Sequence, residues 1–324
     1  MTLEYLPLLE IKKLKKYFHN KGRLFSKKQL IKAVDDVSFS IDKGQTMGII
    51  GESGCGKSTV ARTILRLYPP TDGEIWFDGQ RVSDLNKKGL INFRKNAQMI
   101  FQDPYGSLNP KMTAGDIIGE ALEIHQLGNG LSKKEQVNEM LVKVGLKPYN
   151  ALQYPHEFSG GQRQRIGIAR ALAVRPQLVI CDEPLSALDV SVQAQIVNML
   201  IKLQENMNLT YLFIAHDLLM VKYISDKIGV MVHGKIVEMA DCEELYHHPV
   251  HPYTKALISS ILVPDPRMGI SQKNIKSEGI VSLEEIGYGC RFRTRCPYAD
   301  SLCMEQEPEL KEISANHFVA CHKI

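Results

Sequence analysis

Gly51, Gly56, Lys57 and Ser58 stand at the fixed places of G-x-x-x-x-G-K-[ST] within Gly51-Glu-Ser-Gly-Cys-Gly-Lys-Ser-Thr59. Glycines let a backbone curl so that successive N–H groups point at one phosphate chain. The groups aimed here are those of Ser53, Gly54, Cys55, Gly56, Lys57, Ser58 and Thr59, and the helix that follows adds its positive N-terminal end. Lys57 then reaches the β- and γ-phosphates, and the Ser58 hydroxyl is a ligand for Mg²⁺. A chain built this way is expected to bind a nucleoside triphosphate.

Three further places carry chemistry. Asp182-Glu183 follows an apolar run, where Asp182 suits an Mg²⁺ shell and Glu183 suits the base that takes a proton from an attacking water. Gln102 and His216 each close an apolar run, where Gln102 can meet Mg²⁺ or water and His216 a γ-phosphate. Ser159-Gly-Gly-Gln162 heads a helical pattern and makes a second anion-binding N-terminus. One chain has no use for two such termini on one triphosphate, so the second suits a γ-phosphate held by another copy of the site. Tyr17 and Phe18 precede the phosphate loop at a distance that lets one of them stack on adenine, or leaves both as ordinary core aromatics.

The elements needed to position these groups are legible. Met47-Gly-Ile-Ile50 reads as a buried strand feeding the loop, and Val60 to Leu67 as the helix leaving it. Strands are also expected over residues 8–18, Val34–Ile41, Glu74–Phe77, Gln98–Phe101, Gln177–Cys181 and Thr210–Ala215. Thr71-Asp-Gly73 and Asp78-Gly79 read as turns of an antiparallel sheet, and the basic run from Lys21 to Lys32 as a solvated loop. From Tyr105 to about Leu172 the pattern is helical. Ser132-Lys-Lys-Glu135 forms a capping box there, Val137, Met140, Leu141 and Val144 share a face, and Gly145 closes the helix.

The 324 residues allow one large domain with an appendage, or two domains. Hydrophobic and charged fractions of 44% and 23% are those of a water-soluble globular chain. With no long apolar run and no signal-peptide pattern after Met1, a cytosolic location is expected. A net charge of +4 gives no argument for nucleic acid. In a reducing compartment the seven cysteines are not expected to pair as disulfides. Cys55, Cys181 and Cys242 read as small packed residues, although the helix terminus beside Cys55 can lower a thiol's pKa. The other four, Cys290, Cys296, Cys303 and Cys321, can close around a [4Fe–4S] cluster or, alternatively, Zn²⁺, or stay unligated. Arg291, Arg293 and Arg295 would offset the charge of ligated thiolates.

Taken in order, the phosphate loop, Gln102, Ser159-Gly-Gly-Gln162, Leu178-Val-Ile-Cys-Asp-Glu183, Ser186-Ala-Leu-Asp189 and His216 resemble the nucleotide-binding subunit of an ABC transporter over residues 8–262. Phe158 stands where that family more often has leucine. The resemblance implies an α/β fold: a P-loop NTPase core of RecA type with an antiparallel β subdomain and an inserted helical subdomain at about 105–172. That nucleotide-binding domain would span 1–262, and a small Cys-rich C-terminal domain would span 263–324. It also implies ATP and Mg²⁺, head-to-tail dimerisation, and a triphosphate between Lys57 of one subunit and Ser159–Gln162 of the other.

The tail narrows the resemblance. His251-Pro-Tyr-Thr-Lys-Ala-Leu257, the four spaced cysteines and Phe101-Gln-Asp-Pro-Tyr-Gly-Ser-Leu-Asn-Pro110 are similar to the F-type ATPase of oligopeptide/dipeptide importers. That implies a D-type ATPase as partner, two membrane permeases, an extracytoplasmic binding protein acting indirectly, and a peripheral place on the cytoplasmic side of the plasma membrane. It also implies the [4Fe–4S] cluster. Nickel and glutathione importers share these features. A soluble ABC ATPase would be expected to carry two cassettes or a long coiled-coil insertion, and a non-catalytic cassette to have lost Glu183 or His216.

Overall fold

The computed structural model describes residues 6–20, 29–125, 132–260 and 288–324. β1 (Leu9–Asn20) and β2 (Gln29–Ile41) come first, then β3 (Thr46–Ile50), buried at every position, and α1 (Lys57–Ile64). β4 (Asp72–Phe77), β5 (Gln80–Arg81), α2 (Lys87–Asn96) and β6 (Ala97–Ile100) follow. Three helices come next: α3 (Ala114–Ile124), α4 (Lys133–Lys143) and α5 (Gly160–Leu172). β7 (Leu178–Asp182), α6 (Val190–Met207), β8 (Thr210–Ile214) and α7 (Leu218–Ile224) lead to the hairpin β9 (Lys227–Val232) and β10 (Lys235–Asp241). The chain ends with α8 (Cys242–His247), α9 (Pro252–Ser259), α10 (Ser301–Glu305), β11 (Lys311–Ser314) and β12 (His317–Val319).

Packing divides the chain into two units. The first holds Met1–Glu10, Ser40–Met47 and Glu74–Ala215. Its strands β6, β7 and β8 are parallel, with Met99 opposite Ile180 and Ile180 opposite Leu212. β7 and β8 are buried at all five positions, the pattern of strands covered on both faces. In the helical stretch, Ser132 and Glu135 cap α4 reciprocally, and Val137, Met140, Leu141 and Val144 face inward. Asp78 and Gly79 take φ values of 47° and 75°, the type I′ turn that lets β4 pair back with β5.

The second unit holds Ile11–Phe39, Gly48–Gly73 and His216–Ile324. β9 and β10 form an antiparallel hairpin whose turn, His233-Gly234, again has two positive φ values. β10 pairs next with β12, and β12 with β11. Within this unit β12 and β11 thus extend the sheet that begins with the β9–β10 hairpin. So short a segment has little core of its own and shields its apolar side chains by adding strands to one already built.

Two strands are longer than the side-chain pattern predicts. β2 starts at Gln29 rather than Val34, and β4 at Asp72 rather than Glu74, where Thr71 N–H already donates to Lys15 O. Backbone pairing needs no apolar alternation, so the ladder runs past the pattern. The basic run from Lys21 falls largely on residues 21–28, outside the described residues.

Candidate functional site

In the second unit the phosphate loop is bent by sterics that only glycine meets. A Cβ on Gly51 would lie 2.2 Å from Met231 O, and one on Gly56, at φ 110°, would lie 2.0 Å from Ala33 O. Gly56 caps α1 without a side-chain bond, so the helix opens on backbone N–H groups suited to an anion. Lys57 is buried, and its Nζ donates to Gly51 O (2.7 Å) and Glu52 O (3.0 Å). Ser58 and Thr59 follow in the first turn of α1, half-buried. The β9–β10 turn braces the loop from behind, Gly234 N–H donating to Cys55 O at 2.7 Å. Cys55 departs from one expectation: burial, the dominant effect, raises its thiol pKa against the opposing charge of Lys57. It is a packed small residue.

Both aromatic candidates are half-buried on β1. Tyr17 donates its hydroxyl to Asp35 at 2.5 Å, and Lys32 lies over its ring. Burial and that bond together push the Tyr17 hydroxyl far above its ordinary pKa. Burial would raise the Asp35 carboxyl, but the Tyr17 bond and the charges of Lys235, Lys32 and Arg291 outweigh it and hold the pKa low. Phe18 meets Tyr68 edge to face, with Lys16 over its ring. His216, expected to touch a γ-phosphate, is an exposed residue of this unit, and Asp217 beside it caps α7.

The first unit assembles the acidic group. Asp182 ends β7 fully buried, and Glu183 follows at φ 46°, its N–H donating to Ile214 O. A non-glycine residue at positive φ is uncommon and here turns the carboxylate off the strand axis. Gln102, just past β6, donates its amide to Glu183 Oε2 at 2.8 Å. Sequence spacing assigned Gln102 to metal and water; the structure adds its hold on Glu183, set by β6 and β7 being parallel neighbours. Ser159 and Gln162 form a reciprocal capping box at the start of α5, with Gly160 and Gly161 in its first turn. Arg163, one residue on, lies 4.1 Å over the Tyr105 ring. A cavity of about 150 Å³ lined by Phe77, Phe93 and Gln177, among others, holds none of these residues.

The expected Mg²⁺ ligands are all hard oxygen donors: Ser58 in the one unit, Gln102 and the buried Asp182 in the other. That donor chemistry fits Mg²⁺. The thiol set does not reach this standard. Among the described residues no group of three or more His, Cys, Asp or Glu side chains that could hold a metal ion is found, and Cys290, Cys296, Cys303 and Cys321 are free cysteines. Their thiols do sense one another: burial lifts Cys290 to about 11, and the charges of Cys303, Cys296 and Cys321 push the same way.

The tail arginines have partners that the sequence does not indicate. Arg291 binds Asp35 (2.5 Å) and Arg295 binds Glu52 of the phosphate loop (2.7 Å), while Arg293 donates to Cys290 O. Tyr253 of α9 accepts from Glu52 N–H at 3.0 Å. The sequence singles out neither Asp35 nor Glu52, and it gives Arg295 only as a charge beside the cysteines and Tyr253 only as part of a tail motif. The available signal was a run of three arginines among cysteines, charge in excess of what solvent exposure needs.

Comparison with known proteins bears on the whole chain. The family model described as ABC transporter matches residues 34–186, and that of the oligopeptide/dipeptide transporter C-terminal region matches 237–303. The chain is 53% identical over 318 residues to the oligopeptide transport ATP-binding protein AppF of Bacillus subtilis, covering 97% of each. It is 49% identical to OppF of Streptococcus mutans, another oligopeptide transport ATP-binding protein, covering 98% of this chain and 96% of that one. Among solved structures it resembles the ATP-binding cassette MJ0796, seen as a dimer bound to ADP and phosphate, with TM-score 0.64 and 29% identity over 72% of this chain and 98% of that one.

Proposed function

Because the chain belongs to the ATP-binding subunits of ABC transporters, an ATPase family, we propose that it powers the import of di- or oligopeptides by ATP-driven closure of paired cassettes. The observation that carries the substrate class is the match of residues 237–303 to the oligopeptide/dipeptide C-terminal region. Near-full-length identity to proteins named for oligopeptide transport supports it.

In this reading the amides of Ser53 to Thr59 and the Lys57 ammonium bind the phosphates, and Phe18 or Tyr17 faces adenine. Ser58, Gln102 and Asp182 hold Mg²⁺, which when bound neutralises charge on the phosphate oxygens. Glu183 takes the proton as water attacks the γ-phosphorus and the bond to the β-phosphate oxygen breaks. The Gln102 hydrogen bond orients that carboxylate, and His216 steadies the γ-phosphate. Ser159, Gly160, Gly161 and Gln162 present a helix N-terminus to the γ-phosphate bound by the partner cassette, an arrangement supported by the dimeric form of MJ0796.

The partners are a related D-type ATPase and two integral membrane permeases, with an extracytoplasmic binding protein acting through them. Among the described residues no helix is long and apolar enough to cross a membrane, in keeping with a subunit docked on the cytoplasmic side of the plasma membrane. A [4Fe–4S] cluster on the four tail cysteines is the finer reading. It rests on the resemblance, and anaerobic purification with iron and sulfide analysis decides it.

Affinity capture from native membranes in mild detergent tests the assignment. Two integral membrane proteins and a second ATPase co-purify if it holds, and peptide, nickel and glutathione uptake then separate the substrates. Ribosomal or DNA-repair proteins in their place would overturn it.

A further inference from the structure

The C-terminal segment grips one residue of the phosphate loop from outside the motif. Glu52 is held at three points: its N–H donates to the Tyr253 hydroxyl (3.0 Å), its carbonyl accepts from Lys57 Nζ (3.0 Å), and its carboxylate accepts from Arg295 (2.7 Å). The gripping groups are themselves braced. Phe292 packs its ring against Tyr253 (5.3 Å between centroids) and His251 (5.9 Å), and the Arg295 guanidinium lies over the same ring. The start of α9, which carries Tyr253, is fixed by fully buried Glu238, which accepts from Val250 N–H and His251 N–H and binds His317 of β12.

From this arrangement we propose that Arg295 is a positioning residue of the nucleotide site: it neutralises the Glu52 carboxylate and holds the loop in the shape that accepts a polyphosphate. Two arguments lead there. Side-chain exposures of 25% and 44% make the ion pair worth little to folding, on the scale of a surface salt bridge. Its charge consequence is larger, because Glu52 immediately follows Gly51 in a loop built to gather phosphate negative charge, where an unneutralised carboxylate repels the ligand. No other basic side chain is paired with Glu52 among the described residues. The proposal rests on the reading of Gly51–Thr59 as the nucleotide site, and it ties nucleotide affinity to the seating of the cysteine segment that carries Arg295.

The test is equilibrium binding of MgATP to the full chain, with a thermal melt for each variant. Arg295→Ala is expected to weaken binding roughly tenfold at low salt, and less as ionic strength rises. Arg295→Lys keeps the charge and is expected to stay within about threefold of the parent. Adding Glu52→Gln to Arg295→Ala removes the uncompensated charge and is expected to restore most of the loss. A purely structural role for Arg295 would not respond to that second change. Should Arg295→Ala melt before it can be assayed, Arg295→Gln with and without Glu52→Gln gives the same comparison. Binding unchanged by loss of the arginine, or a loss that Glu52→Gln leaves in place, overturns the proposal. Failure of the parent chain to bind MgATP overturns the nucleotide site instead.

Discussion

Gln102 donates its side-chain amide to Glu183 across 2.8 Å, joining the second residue past β6 to the first past β7. The parallel pairing of the two strands makes this contact, since Ile100 and Cys181 are register partners and each chain leaves the sheet at the same level. A carboxylate oriented in advance is what the general base proposed above needs.

Glu183→Gln keeps the shape and the partner but removes the base. ATP turnover is expected to fall at least a hundredfold, while MgATP binding stays within a few-fold of the parent. Single-turnover phosphate release alongside equilibrium binding checks this. Unchanged turnover would remove Glu183 from the base role.

Gly56→Ala introduces a Cβ that would sit 2.0 Å from Ala33 O on a backbone at φ 110°. The loop must shift to admit it. A loss of about 2–4 kcal/mol in stability is expected, together with loss of nucleotide binding. Denaturant unfolding and MgATP titration of the same preparation measure both.

Ser159→Ala removes the hydroxyl that accepts from Gln162 N–H at the head of α5. Stability is expected to fall by about 1 kcal/mol, the usual worth of an N-cap. If this helix also meets a partner's γ-phosphate, turnover falls far more than that figure explains while nucleotide affinity of the isolated chain holds. Measuring turnover against protein concentration separates the two effects.

His251 is buried and neutral, its Nδ1 accepting from Tyr253 N–H, and burial lowers its pKa from 6.5 to about 4. The unfolded chain therefore binds a proton between those values that the folded chain refuses. Stability from this group is complete above pH 6.5 and is lost as pH falls towards 4, by up to roughly 3 kcal/mol. His251→Asn retains a capping acceptor without the titration. Unfolding free energies at pH 7 and pH 4.5 are expected to differ by about 2 kcal/mol less in the variant than in the parent.

What the sequence by itself determined is everything that lies within a few residues of its own cause. The spacing of Gly51, Gly56, Lys57 and Ser58 implies the phosphate loop, and Ser132 with Glu135 implies a helix start. The apolar runs before Asp182 and His216 imply the buried strands β7 and β8. Each rests on backbone sterics, capping or periodicity, which act locally. What only the tertiary structure decided involves partners far apart in the chain. Arg295 finds Glu52, Arg291 finds Asp35, and Glu238 gathers Val250, His251 and His317. A charge chooses its partner by where the fold leaves it, and no local pattern records that choice.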